Sequence, residues 1–361
     1  MTDHNQPSRA LADGPIAVDA MGGDHAPEYP VEGAVSAARE LGIAIRLVGQ
    51  EDVVRKALAP MNTAGLDIEV VHAADTIAMD EPVVTALRRK KHSSLRVAAK
   101  LVRDGDAGGM VSAGNTGAVM ATAKIVMGTL ADVSRPALTT TVPNVSGYTT
   151  WLDVGANVDV KPEMFREFAI MGSIYAEEIV GIRNPRVGLL SIGAEEIKGT
   201  NLTRDVHQRL KAEIPNFIGN VEGRDLFNGH CDVVVCDGFT GNVSLKALEA
   251  IVETLDIFLR QEIEKSLLSK LGFFLCRPAF RGFKKKVDYA EMGGAPLLGL
   301  KGCAIICHGG SSPRAIKNAI RVAKEFTHKG VSQLIGRRMH ELYLAAEARK
   351  AHTEPAAGSR S

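Results

Sequence analysis

The sequence predicts an α/β protein, a mostly parallel sheet covered by helices on both faces to give three layers. Two observations carry this expectation. Short apolar, β-branched runs such as 233–236 and 304–307 alternate with segments whose apolar residues recur at helical spacing. Between them lie loops rich in glycine and small polar residues, and strand–loop–helix units of this kind assemble into parallel sheets that bind ligands outside the carboxyl ends of their strands. With 361 residues, the chain has material for one large unit or two lobes.

In order, residues 1–13 are polar and read as a disordered arm, and residues 14–345 as a single α/β unit. Ile16–Asp19 is the first strand, 31–41 the first helix, 45–48 a strand, 53–58 a helix and 68–72 a strand. A long helix is expected over 85–102, carrying Arg88, Arg89, Lys90, Lys91 and His92. The run 107–111 leads through a Ser112-Ala-Gly-Asn-Thr-Gly117 loop into a small-residue helix ending at Met127. Strands at 138–142 and 149–154 flank the turn Pro143-Asn-Val-Ser-Gly147. A helix over 162–180, strands at 187–192, 216–221 and 233–236, a helix from Val243, a strand at 304–307 and a helix over 314–326 follow. Residues 346–361 read as a polar tail.

Composition narrows the function classes. A net charge of +1 argues against a general nucleic-acid binder. Hydrophobic content of 45% and charged content of 24% are those of an ordinary globular protein. The opening residues lack the apolar core of a secretory leader, and no apolar run reaches the ~18–20 residues of a membrane span, so a cytoplasmic setting is expected. The five cysteines sit in or beside apolar or aromatic runs and read as reduced thiols; no metal and no cofactor are expected.

The 36 glycines exceed the roughly 25 expected at about 7% usage, and they cluster at strand ends. Most such glycines only permit a tight turn. Here they recur beside Asn, Ser or Thr, as in Gly114-Asn115-Thr116, Gly155-Ala156-Asn157, Gly241-Asn242 and Gly310-Ser311-Ser312. Small hydrogen-bonding side chains next to exposed N–H groups make an open, polar receptor for an oxyanion. There is no G-x-G-x-x-G fingerprint in a strand–helix context, no P-loop and no G-x-S-x-G elbow, so the nucleophile of any acyl chemistry belongs to the ligand. Lys198 is the cation singled out, because it stands in a strand-end loop; the competing reading is a solvated surface lysine.

Residues 255–286 differ in kind. More than half of the 11 phenylalanines fall between Phe239 and Phe283, interleaved with Arg and Lys. Leu267, Leu271, Phe273, Phe274, Phe280 and Phe283 would face either a membrane surface or a second subunit, as an amphipathic helical protrusion.

Seven stretches together resemble the bacterial phosphate acyltransferase family of phospholipid synthesis. They are Asp19-Ala-Met-Gly-Gly-Asp24, Ser112-Ala-Gly-Asn-Thr-Gly-Ala118, Leu152-Asp-Val-Gly-Ala-Asn157, Ile192-Gly-Ala-Glu-Glu-Ile-Lys-Gly199, Gly219-Asn-Val-Glu-Gly-Arg-Asp225, Val234-Val-Cys-Asp-Gly-Phe-Thr-Gly-Asn242 and Gly293-Gly-Ala-Pro-Leu-Leu-Gly299, running in order through most of the chain. The resemblance implies a fold similar to isocitrate and isopropylmalate dehydrogenases and kinship with phosphate acetyltransferases. It implies a homodimer that converts acyl-[acyl-carrier-protein] and orthophosphate to acyl-phosphate, at the inner face of the membrane. The product would pass to a membrane glycerol-3-phosphate acyltransferase.

On this reading Lys198, Asn115, Asp237 and Asn242 are the catalytic candidates, and Gly22, Gly23, Asp24, Gly114, Thr116, Asn157, Gly241 and Ser311 the substrate- and phosphate-binding ones. Three alternatives stand beside it: acyl-coenzyme A as the donor, an NAD- and metal-dependent decarboxylating dehydrogenase of similar fold, and a non-catalytic scaffold at a membrane surface.

Overall fold

The computed structural model describes residues 14–287 and 292–353. The expected arm at 1–13 and the last part of the expected tail, 354–361, lie outside the described residues. In chain order the strands are β1 (Ile16–Asp19), β2 (Ile45–Gly49), β3 (Ile68–His72), β4 (Gly109–Ser112), β5 (Ala137–Asn144), β6 (Gly147–Leu152), β7 (Val187–Leu190), β8 (Phe217–Val221), β9 (Val233–Val235), β10 (Ala295–Leu298) and β11 (Cys303–Ile306). The helices are α1 (Glu28–Leu41), α2 (Glu51–Leu58), α3 (Val83–Arg89), α4 (Ser94–Asp104), α5 (Thr116–Met127), α6 (Pro162–Tyr175), α7 (Asn201–Glu213), α8 (Gly238–Glu264), α9 (Leu267–Val287), α10 (Pro313–His328) and α11 (Val331–Thr353).

All described strands join one sheet in the order β3-β2-β1-β4-β11-β10-β5-β6-β9-β7-β8. The first five are mutually parallel, as are β6, β9, β7 and β8. Between these blocks β10 runs antiparallel to both β11 and β5, and β5 antiparallel to β6. The two parallel blocks therefore run in opposite directions, and their carboxyl ends lie at opposite ends of the strands. Alternate residues of each strand serve different faces: Ile16 and Val18 join one buried cluster with α1, α6 and α10, while Ala17 and Met110 join a second with α4 and α5. Helices on both faces make the expected three layers.

The crossing of α1 and α10 depends on a missing side chain. A Cβ on Gly33 of α1 would lie 2.6 Å from Ile316 Cβ and 2.7 Å from the Pro313 carbonyl oxygen of α10. Only glycine lets the two helices approach this far.

The structure corrects several sequence expectations. The long helix expected over 85–102 is two helices, broken because side chains capture the backbone between them. Lys90 Nζ donates to Glu81 Oε2 and to the Thr76 carbonyl, each at 2.6 Å, the Asp75 carboxylate accepts from His92 N at 3.2 Å, and Ser93 Oγ caps α4. The helix expected from Val243 begins at Gly238, because Asp237 Oδ1 accepts from Thr240 N at 2.8 Å and turns the glycine loop into a first helical turn. The helix over 162–180 changes to a π-turn at Ala176–Val180. Helix α7 has no counterpart in the expectations, since Leu202, Val206 and Leu210 give it only a narrow apolar stripe. Strand β10 was hidden by Gly293, Gly294 and Pro296, and the helix from Val331 continues through residues expected to be tail.

Replacing Gly33 by Ala is expected to destabilise the fold by about 1–3 kcal/mol, the usual cost of overpacking. Gly223, which has open space around its Cβ position, serves as the control. Thermal unfolding should show a lowered Tm for Gly33→Ala and an unchanged one for Gly223→Ala.

Candidate active site

The glycine-rich loops form two sets, one at the carboxyl ends of each parallel block. The first is built on β1, β4 and β11. Asp19 ends β1 and is 3% exposed. Its Oδ2 accepts from Ser112 Oγ at 2.7 Å, its Oδ1 accepts from Met21 N at 3.2 Å, and Ser112 Oγ in turn accepts from Gly114 N at 3.1 Å. Two loops thereby close over one carboxyl. A Cβ on Gly22 would stand 2.7 Å from Asp19 Oδ2 and 2.8 Å from Gly114 N, so that position accepts no side chain. Gly23 has φ +111°, a conformation that favours glycine.

The third loop joins through the backbone. Asp24 N donates to the Gly309 carbonyl at 2.9 Å, and Ser311, buried, donates its N–H to the His308 carbonyl at 2.9 Å. Asn115 caps α5, its Oδ1 accepting from Ala118 N at 3.0 Å while its Nδ2 donates to the Met79 carbonyl at 2.7 Å. Thr116 is exposed in the first turn. Gly22, Gly23, Asp24, Gly114, Asn115, Thr116 and Ser311 are thus brought together.

The second set is built on β6, β9 and β7. Asp153, fully buried, follows β6. Its Oδ1 accepts from the backbone N–H groups of Leu138, Gly155 and Ala156, and its Oδ2 from Asn157 N and Asn157 Nδ2, all at 2.7–3.1 Å. Asn157 Nδ2 also donates to the Pro136 carbonyl, so this amide is spent inside the protein and holds the loop's shape. The first turn of α8 packs on that loop: Gly238 N donates to the Asn157 carbonyl at 2.8 Å, and a Cβ on Gly241 would lie 1.9 Å from the Asp153 carbonyl oxygen. The Asn242 side chain stands beside Gly155, and Asp237 caps the helix through Thr240 N and Thr240 Oγ1. Lys198 is exposed in the loop after β7, its N–H donating to the Glu195 carbonyl at 3.0 Å. Because β7 neighbours β9, Asn157, Asp237, Gly241, Asn242 and the Lys198 loop share one end of adjacent strands.

The two buried carboxyls were not among the expected site residues, although a signal existed. Each is an aspartate where an apolar strand gives way to a glycine loop, in Val-Asp-Ala-Met-Gly-Gly and Leu-Asp-Val-Gly-Ala-Asn. Burial pushes both above the ordinary carboxyl range, while the donors around them pull the other way. Among the described residues no His, Cys, Asp or Glu side chains converge as metal ligands would.

The protrusion is a helical hairpin of α8 and α9 that keeps much of its apolar surface in solvent. Leu267 is 85% and Phe274 66% exposed, and Leu271 and Phe283 are also exposed. Phe273 and Phe280 are half-buried against each other, ring centroids 4.9 Å apart. Among the described residues no helix is long and apolar enough to cross a membrane.

Because Asp19 has a folded-state pKa above its ordinary value of 3.8, its contribution to stability is complete below pH 3.8 and is lost as pH rises through the folded-state value. Asp19→Asn keeps an acceptor for Ser112 and cannot ionise. Denaturant unfolding from about pH 4 to about pH 8 should show the wild type losing stability relative to this variant, and parallel profiles would count against the shift.

A family model described as "Fatty acid synthesis protein" matches residues 15–334. The phosphate acyltransferase of Geobacter sulfurreducens is 53% identical over 330 residues, covering 91% of this chain and 95% of that protein. That of Acidobacterium capsulatum is 51% identical over 319 residues, covering 88% and 95%. Among solved structures, EutD phosphotransacetylase from Staphylococcus aureus aligns with a TM-score of 0.56 at 16% identity, over 88% of this chain and 97% of that one. A phosphotransacetylase from Streptococcus pyogenes gives 0.58 at 18%, over 89% and 99%. At those identities the likeness is one of fold. The sequence relatives carry the further conclusion, that the chain belongs to the fatty acid synthesis protein family, among its phosphate acyltransferases.

Proposed function

We propose that the protein transfers the acyl group of an acyl-[acyl-carrier-protein] to orthophosphate, giving acyl-phosphate and free carrier protein. A phosphate oxygen, already anionic at neutral pH, attacks the thioester carbonyl carbon. The tetrahedral oxyanion collapses, the C–S bond breaks, and the carrier leaves as a thiolate that takes up a proton. The protein's part is to align phosphate with the thioester and to stabilise the oxyanion.

The observation that supports this reading is the gathering of Lys198, the start of α8 and the Asn157 loop at one end of neighbouring strands. Lys198 takes the phosphate and oxyanion charge; the N–H groups expected to help at Gly241 and Asn242 belong to the first turns of α8, where Gly241 N already donates to the Asp237 carbonyl at 3.0 Å. Asn242 orients the reactants directly, and Asp237 and Asn157 hold the backbone that presents them. The first set, with Gly22, Gly23, Asp24, Gly114, Asn115, Thr116 and Ser311, lies at the carboxyl ends of the oppositely directed block. Its Asp24, Gly114 and Ser311 N–H groups are already spent inside the protein, so it serves as a shaped polar wall for the part of the donor remote from the thioester.

Exposed Arg88, Arg89 and Lys91 on and just after α3 suit an acidic protein donor better than coenzyme A. Acyl-phosphate is a labile mixed anhydride, so the product passes directly to a membrane glycerol-3-phosphate acyltransferase. The exposed hairpin serves this hand-off as a peripheral membrane element and as part of a homodimer contact.

Purified protein given palmitoyl-acyl-carrier-protein and orthophosphate should release carrier thiol and acyl-phosphate together, only when phosphate is present. Release from palmitoyl-coenzyme A at equal efficiency would defeat the carrier assignment. Lys198→Ala should raise the phosphate KM or lower kcat by roughly ten-fold or more with the fold intact, and unchanged kinetics would remove Lys198 from the site. For the hairpin, glutamate at Leu267, Leu271 and Phe274 together should abolish liposome co-sedimentation and leave the dimer in place. Dissociation into monomers would favour the interface alone.

A further inference from the structure

Behind the Lys198 loop, α7 buries a histidine that the reaction does not use. His207 is 3% exposed, with Phe217 of β8 edge-on to its ring at 5.3 Å between centroids. Its helix neighbours Val206 and Leu210 are buried apolar residues. A buried imidazole is costly unless its polar atoms find partners, and Nδ1 has a buried one. Nδ1 lies 2.9 Å from Asn220 Oδ1, and Nε2 lies 3.5 Å from Glu196 Oε1, a carboxylate that Lys211 also holds.

Asn220 is nearly buried and extends the chain of contacts. Its Nδ2 donates to the Glu195 carbonyl at 2.9 Å. That orientation of the amide leaves Oδ1 toward the ring, so His207 Nδ1 carries the proton and donates. The same Glu195 carbonyl accepts from Lys198 N at 3.0 Å. One unbroken path thus runs from His207 through Asn220 and the Glu195 carbonyl to the backbone of Lys198.

We propose that His207, acting through Asn220, is a positioning residue that fixes the 191–199 loop and so sets the place of Lys198 in the phosphate acyltransferase reaction. The proposal rests on the role given to Lys198 above. A lysine on an exposed loop covers a wide volume, and tethering its backbone from below narrows that volume before phosphate arrives. Misplacement of a charged group by about 1 Å can cost on the order of a hundred-fold in rate. A buried anchor for this loop is therefore worth its desolvation.

The test pairs kinetics with hydrogen exchange on full-length protein. His207→Leu keeps the bulk and removes the donor, whereas His207→Asn keeps an N–H donor near the position of Nδ1. His207→Leu should lower kcat/KM for orthophosphate about ten-fold or more and speed amide exchange across 191–199. His207→Asn should recover most of both, which filling space alone would not achieve. Unchanged exchange in the loop, unchanged phosphate kinetics, or no recovery with asparagine would each overturn the proposal.

Combination with Lys198→Ala separates the two assignments. If His207 acts through Lys198, adding His207→Leu to Lys198→Ala costs little more; a full additional loss overturns the route through Lys198. A silent Lys198→Ala would instead sink the Lys198 assignment itself, and the catalytic part of the proposal with it. Should His207→Leu fail to fold, Asn220→Asp decides. It keeps an acceptor facing the ring, removes the donor to Glu195, and should give the same faster exchange and the same loss of phosphate kcat/KM; wild-type behaviour would overturn the proposal.

Discussion

The site end of β6 depends on one buried carboxyl group. Asp153 gathers backbone N–H groups from its own loop and from β5, together with the Asn157 amide, around two oxygens that have no access to solvent. Remove it and several buried donors lose their partner at once, each at a cost of about 1–3 kcal/mol. The loop it shapes then presents the Asn157 carbonyl to Gly238 N, which sets where α8 begins. Asp19 does the corresponding work at the far end of the sheet, through Ser112 and Gly114. Both carboxyls are structural groups placed directly beneath the loops expected to meet anions.

Sheet direction explains why these two sets stay apart. Had β10 and β5 been parallel crossovers, all the glycine loops would have opened on the same side. Three antiparallel steps at the middle reverse the second block, so loops of similar composition come to lie at opposite ends of the strands. No local pattern in the sequence announces that reversal, because strand direction is a long-range property. Strand β10 in particular is a short apolar run with a proline, framed by glycines in left-handed conformations, and it reads locally as a turn.

What was legible follows the same division. Strands with β-branched cores, such as β1, β2, β9 and β11, show in the sequence because burial on both faces demands continuous apolar runs. Loop chemistry also showed, since glycine beside Asn, Ser or Thr has few other uses at a strand end. Helix α7 did not show, because a helix covering only a sheet edge needs little apolar surface. The break at Lys90 arose from tertiary capture by Glu81 and Thr76, which spacing cannot reveal. Of the candidate residues, Asn115 and Asp237 cap helices that begin earlier than the sequence reading started them, and the inward turn of Asn157 comes from its contact with Asp153, a partner visible only in the fold.

Helix α8 has its first turn wedged against the Asp153 loop and its last turns in an apolar hairpin. At about 1.5 Å per residue, its 27 residues span about 40 Å as one uninterrupted rod. A tilt of about 5° about its first turn would carry the far end through about 3 Å. The same geometry run backwards gears large excursions of the hairpin down to fractions of an ångström at Gly241. The fit there is already so tight that a single methyl would collide with Asp153. The rod is thus held at the fulcrum beside Asn242, and any displacement imposed on its outer end reaches the inner end strongly attenuated.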